Sequence, residues 1–186
     1  LRDCDKYKKI YILVPTVEAG GNELSLGFLP GNANDKITPY LEADYETIKD
    51  ILDESDNNGE KILNNLLSSN FITGESISFL RGRTLKNCIC IVSEIENFSK
   101  SNMLLILSRL GQNSLFIMNG DQRQVDRKSL CNGKEESGLE YANNVLDGMK
   151  GVALCKFGRK DIVRDPFMIE LMDRWLGPEK DGVYHV

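Results

Sequence analysis

Apolar residues in this chain cluster into short unbroken runs that alternate with longer amphipathic stretches. Tyr7-Lys-Lys-Ile-Tyr-Ile-Leu-Val-Pro15 predicts a strand closed by proline, which cannot continue a central ladder. Ile77-Ser-Phe-Leu80 predicts a short strand, and residues 152–157 predict another. The most continuous runs, Cys88–Val92 and Leu115–Asn119, have the texture of strands covered on both faces, so they are expected adjacent, parallel and central.

Between the strands the spacing turns helical. Residues 42–53 place Ile48, Ile51 and Leu52 on one face, and residues 60–69 do the same with Ile62, Leu63, Leu66 and Leu67. The Asp56-Asn-Asn-Gly59 turn separates the two. Ser99 caps a helix over 100–110 whose predicted core face is Met103, Leu104, Leu107 and Leu110, with Gly111 as its end. Helices are also predicted over 138–148 and 166–176, the latter with Asp165 at the cap, Pro166 in the first turn and Gly177-Pro178 as the stop. Thr16–Pro39 reads as a long glycine-rich connection, and Asp121–Ser137 as a polar active-site loop or insertion. Alternating strands and helices predict an α/β fold with a mostly parallel, doubly wound sheet, and residues 1–186 as a single domain.

Two of these strands end in groups that can do chemistry. Open α/β sheets bind ligands beyond the carboxyl ends of their strands. The run at 88–92 delivers Ser93 and Glu94 there, and the run at 115–119 delivers Gly120, Asp121 and Gln124. Arg81-Gly82-Arg83-Thr84, with Lys86 close behind, supplies cations beside a third strand end. These can grip nucleic-acid phosphates or a neighbouring subunit.

Composition narrows the setting. Apolar residues make up 41% of the chain and charged residues 27%, which suits a globular domain. A net charge of −5 argues against a uniformly basic surface, so any phosphate contact must be local. No apolar run approaches the roughly 18 residues that cross a bilayer, and no signal peptide is visible, so no membrane partner is expected. The cysteines are Cys4, Cys88, Cys90, Cys131 and Cys155, without a C-x-x-C pair. Reduced core thiols and a cytoplasmic location follow, with Cys88 and Cys90 sharing one strand face. The lone His185 lies next to the end, which disfavours histidine catalysis. The start at Leu1 is what a fragment or a processed chain would show.

Several blocks, in order, resemble the PhoH-like (phosphate-starvation-inducible) family of P-loop ATPases across residues 8–176. Val14-Pro-Thr-Val-Glu-Ala-Gly20, Leu26-Gly-Phe-Leu-Pro-Gly31 and Pro39-Tyr-Leu41 resemble the family's loop after its second strand. Phe79-Leu-Arg-Gly-Arg-Thr-Leu85 resembles its Arg-Gly-Arg-Thr-Leu block, and Ile91-Val-Ser-Glu-Ile-Glu-Asn97 its Walker B block. Asn119-Gly-Asp-Gln-Arg-Gln-Val-Asp126 resembles the Gly-Asp-x-x-Gln sensor block. Ser137-Gly-Leu139 and Arg159-Lys-Asp-Ile-Val-Arg-Asp-Pro166 resemble later blocks.

The resemblance implies a P-loop NTPase-like fold with a RecA/helicase-like core, ATP hydrolysis, a link to RNA metabolism and a ring of identical subunits. It implies Glu94 as the base that activates water, and Asp121 and Gln124 as the γ-phosphate sensor. Ser93 and Gly120 would lie near the phosphates. Arg159 and Arg164 would reach a neighbour's nucleotide, and Arg81, Arg83 and Thr84 would contact nucleic acid or another subunit. ATP and Mg²⁺ are the implied ligands.

The departures matter as much. No G-x-x-x-x-G-K-[ST] occurs in the 186 residues, although that loop holds the phosphates, and the Walker B aspartate position holds Ser93. Val14 stands where the family usually carries arginine, and Glu96 follows Ile95 after the acidic position. This polypeptide is therefore expected not to hydrolyse ATP efficiently without a supplied phosphate loop. The rival is a non-enzymatic RNA-binding or oligomerising scaffold. A dinucleotide oxidoreductase is disfavoured because no G-x-G-x-x-G follows a predicted strand.

Overall fold

The computed structural model describes residues 6–14, 33–125, 135–158, 161–163 and 165–176. It divides into two compact units, residues 1–142 and 143–186.

The first unit holds a four-stranded, all-parallel sheet in the order β2-β1-β3-β4. The strands are β1 (Lys9–Val14), β2 (Ile72–Ser76), β3 (Cys88–Val92) and β4 (Leu115–Met118). Registers Ile10↔Ile72, Leu13↔Val92 and Ile91↔Ile117 align their carboxyl ends along one rim. The helices are α1 (Ala33–Asp56), α2 (Gly59–Ser68), α3 (Lys100–Leu107) and α4 (Gly138–Leu146), which runs across the boundary between the units. In the second unit, α5 (Pro166–Leu176) begins as predicted: Asp165 Oδ1 accepts from the Phe167 N–H at 2.8 Å.

Two cores flank the sheet. On one face Ile12, Val14 and Ile72 pack against Ile37 and Leu41 of α1 and Leu63 of α2. Gly74 permits this approach, since a Cβ there would meet Leu41 Cδ1 at 2.1 Å and the Tyr45 hydroxyl at 2.8 Å. On the other side Leu80, Cys90, Val92, Phe98, Met103 and Ile106 are fully buried. Cys88 and Cys90 are free thiols with sulfurs 3.8 Å apart, and burial pushes both thiols up, Cys90 the further.

The structure corrects several expectations. The long connection ends earlier, because α1 starts at Ala33 and carries Pro39 in its second turn. Past the first turn a proline removes one i→i−4 hydrogen bond and crowds the carbonyl four residues back, so sequence reasoning places a helix start after it. Residues 77–80 form a 3-10 turn rather than a strand; the Ser76 hydroxyl caps it, and β2 is the preceding segment. Leu104 is 57% exposed and Leu110 56%, while Met103 and Ile106 are buried, so α3 is rotated from the predicted face and ends at its Ser108 cap before Gly111. With apolar residues around the whole helix, periodicity could not select a side. β3 is central, but β4 is an edge strand among the described residues, with Leu115 and Ile117 42% and 46% exposed. Residues 152–157 form no strand: their backbone is irregular, and Val152, Leu154 and Phe157 are exposed. No helix among the described residues is long and apolar enough to cross a membrane.

Candidate active site

The tips of β3 and β4 lie side by side. The Asn119 N–H donates to Val92 O at 3.0 Å and the Ile95 N–H to Asn119 O at 3.2 Å, carrying the ladder one step past the strands. This brings Ser93 and Glu94 next to Gly120, Asp121 and Gln124, the grouping the sequence implies.

Glu94 is held in a left-handed backbone conformation, φ 58° and ψ 38°. Among the described residues the other non-glycine positions with positive φ are Asn57, Asn70, Asn87 and Asn113. Asparagine tolerates that region because its short amide can bond the local backbone. Glutamate has no such compensation, and strain of this kind, of order 1–3 kcal/mol, gathers at functional sites. The backbone reverses here because Asn97 N–H returns to Glu94 O at 3.0 Å, closing a 3-10 turn over Ile95–Asn97.

That turn buries Glu96, which the sequence reading recorded only as a departure from the family pattern. Its side chain is 1% exposed. Its carboxyl accepts from the Asp121 N–H at 3.2 Å and from Asn97 Nδ2 at 3.2 Å, and it lies within hydrogen-bond reach of Glu94. Burial, followed by the Glu94 carboxylate beside it, pushes Glu96 up to about 7, so Glu96 holds its proton up to near neutrality. Gly120 makes room for it: a Cβ there would stand 2.3 Å from Glu96 Oε2. The signal available in the sequence was an acid set between the apolar Ile95 and Phe98, with Asn97 as its polar neighbour.

Asp121 has the opposite environment. Arg123 grips it with Nε to Oδ1 at 2.8 Å and Nη2 to Oδ2 at 2.7 Å, and the Arg123 N–H and Gln124 Nε2 add donors at 3.0 and 3.2 Å. Hydrogen bonds from Arg123 hold the carboxyl down at about 2. Gln124 is thereby fixed, and its carbonyl accepts from Asn97 Nδ2 at 3.4 Å. A second missed residue is Asp44 of α1, whose carboxylate bonds the Ser93 hydroxyl near Glu94; burial raises its pKa.

Ser137 and Gly138 lock this arrangement from beneath. Ser137 Oγ donates to Gln122 Oε1 at 2.8 Å and caps α4 through the Glu140 N–H at 3.1 Å. The Gly138 N–H meets Phe98 O at 2.7 Å, and a Cβ on it would lie 2.4 Å from Ile95 O.

The arginines divide. Arg83 pairs with Glu75 and places its guanidinium 5.7 Å from the Tyr11 ring centroid, a structural engagement. Arg81 and Thr84 are exposed. Arg159 and Arg164 lie outside the described residues. Among the described residues no group of three or more His, Cys, Asp or Glu side chains is placed to hold a metal ion.

The chain is 34% identical over 168 residues to a PhoH-like protein of Bacillus subtilis (strain 168), covering 90% of this chain and 49% of that protein. Against a PhoH-like protein of Synechocystis sp. the identity is 32% over 173 residues, 93% of this chain and 48% of the relative. With Protein PhoH of Escherichia coli (strain K12) it is 30% over 159 residues, 84% and 41%. The chain spans about half the length of the curated relatives it matches. The family described as PhoH-like protein matches residues 2–175, and the chain belongs to that family.

Proposed function

We propose that this chain carries the water-activating half of a PhoH-type nucleotide-binding and ATP-hydrolysing site. The observation that carries the reading is Glu94: a strained carboxylate at a central strand tip, facing Glu96 and adjoining the Gly120–Gln124 turn. In the proposed step a water oxygen attacks the γ-phosphorus while the bond to the leaving diphosphate oxygen breaks. The water proton passes to Glu94, and Gln124 orients the water. The sequence contains no phosphate loop, so the 186 residues alone should bind ATP weakly. ATP and Mg²⁺ are the expected ligands once such a loop is supplied, the metal arriving on the nucleotide phosphates. Arg159 and Arg164 reaching into a neighbouring subunit of a ring, action on RNA and a cytoplasmic setting complete the proposal.

The test is Glu94→Gln in a chain joined to a phosphate loop, read by phosphate release. General-base loss should slow turnover about 10²–10⁴-fold with the fold intact. Unchanged turnover would sink the assignment.

A second reading, a non-enzymatic RNA-binding or oligomerising scaffold, is favoured by Ser93, a hydroxyl where the family carries a metal-supporting carboxylate. Ser93→Asp separates the two. Faster hydrolysis in the loop-bearing chain supports the enzyme, because a carboxylate orders the water around a hard cation better than a hydroxyl. A lower Tm without activity supports the scaffold, since the new charge would crowd Asp44 and Glu94.

A further inference from the structure

The strap that follows β2 and the exposed side of α3 enclose an open groove of about 320 Å³, away from the strand tips. Arg81, Gly82, Ser101, Asn102, Leu105 and Arg109 line it. Two of these are cationic and none is acidic, on a chain whose net charge is −5.

The backbone explains why the two neighbouring arginines part. Gly82 has φ +76°, and a Cβ on it would meet nothing within 4 Å, so glycine is there for conformation rather than packing. Across that turn Arg83 folds back to Glu75 and Tyr11, while Arg81 lines the groove. Arg109 joins the strap to the helix: its Nη1 donates to Arg83 O at 3.2 Å, and its own carbonyl accepts from the Leu85 N–H at 2.9 Å. Its other bonds go to Ser108 Oγ, at 3.3 Å from Nε and 3.0 Å from Nη2. All of these acceptors are neutral, so its charge stays uncompensated. Among the described residues no carboxylate pairs with Arg81 or Arg109. A guanidinium offers five N–H donors and suits phosphate oxygens, and the Ser101 hydroxyl and Asn102 amide add neutral donors.

We propose that this groove binds the phosphate groups of an extended polyanion. Ser101 and Leu105 succeed one another along α3, about 6 Å apart at 1.5 Å per residue, and Arg109 extends the line in the turn beyond the Ser108 cap. That is a track rather than a point, which fits a single-stranded nucleic-acid backbone or a free polyphosphate better than one phosphate ion.

The experiment uses the 186-residue chain, a labelled single-stranded oligonucleotide followed by anisotropy, and tripolyphosphate followed by calorimetry, each at several salt concentrations. Arg81→Glu should weaken binding roughly tenfold at low salt, and Arg81→Ala should flatten the plot of log affinity against log salt by about 0.7 for a single strand. The Tm should not move, since Arg81 is exposed and bridges nothing in the fold. Lys61→Glu, the same charge change on α2, should leave binding unaltered. Loss confined to the oligonucleotide assigns the groove to a nucleic-acid backbone, and loss for tripolyphosphate to a free phosphoanion. The proposal is overturned if neither ligand responds to Arg81→Glu, or if Lys61→Glu is equally harmful. No nucleoside triphosphate enters the measurement, so its failure would leave the Glu94 reading untouched.

Discussion

Glu96 and Asp121 sit at the ends of adjacent strands, and the N–H of one bonds the carboxyl of the other, yet their acidities diverge. Glu96 is enclosed, faces another carboxylate and rises to about 7. Asp121 is clasped by a guanidinium and falls to about 2. Position at a strand tip therefore does not decide protonation. Local surroundings decide it: burial, followed by the Glu94 carboxylate, for one, and the Arg123 guanidinium for the other.

The comparison sharpens first with pH. Glu96 ordinarily ionises near 4.5, so the stability it contributes is present below that value and is lost as pH rises towards 7, by roughly 3 kcal/mol. Glu96→Gln should remove this slope, leaving the variant more stable than the parent at alkaline pH, as followed by urea melts across pH. A parent curve flat over that range would refute the raised Glu96 carboxyl. Gly120→Ala attacks the junction itself. Its methyl would displace the Glu96 carboxyl from the Asp121 N–H and should cost roughly 2 kcal/mol in urea denaturation. A neutral result would mean the two tips are not tightly joined.

Asp121 carries the opposite sign. Its stabilisation is present above 3.8 and disappears as pH falls through about 2. With its partial exposure, Asp121→Asn should cost only about 1 kcal/mol at neutral pH and nothing at the acid extreme, by the same melts. Glu94→Gly should move least. Relief of the left-handed strain and the added chain entropy nearly cancel, for a gain of a few tenths of a kcal/mol by calorimetry. A large loss would show that the Glu94 side chain supports the fold.

Much of this was legible in the residues. The unbroken apolar run at 88–92 announced a central strand, and Ser99 capped its helix as its chemistry requires, accepting from the Asn102 N–H at 3.3 Å. Ser93, Glu94, Gly120, Asp121 and Gln124 were brought together because parallel neighbours end on the same rim. What stayed hidden was set by tertiary context. Glu96 and Asp44 are surface-type residues until the chain encloses them, and no local pattern reports that. Ile77–Leu80 has strand-like composition, but the Ser76 hydroxyl caps a turn instead. Val152–Phe157 has strand composition too, and propensity yields wherever a partner strand is missing.

The paired thiols of β3 carry a consequence for kinetics. Cys88 and Cys90 lie in the innermost part of the sheet, whereas Cys155 is exposed. A thiol reagent reaches Cys155 directly but must wait for β3 to separate from its neighbours before it meets Cys88 and Cys90. The slow labelling rate is thus a clock for opening of the sheet centre, readable without any added probe. Because β3 also carries Glu94, the clock times the same strand that delivers the candidate base.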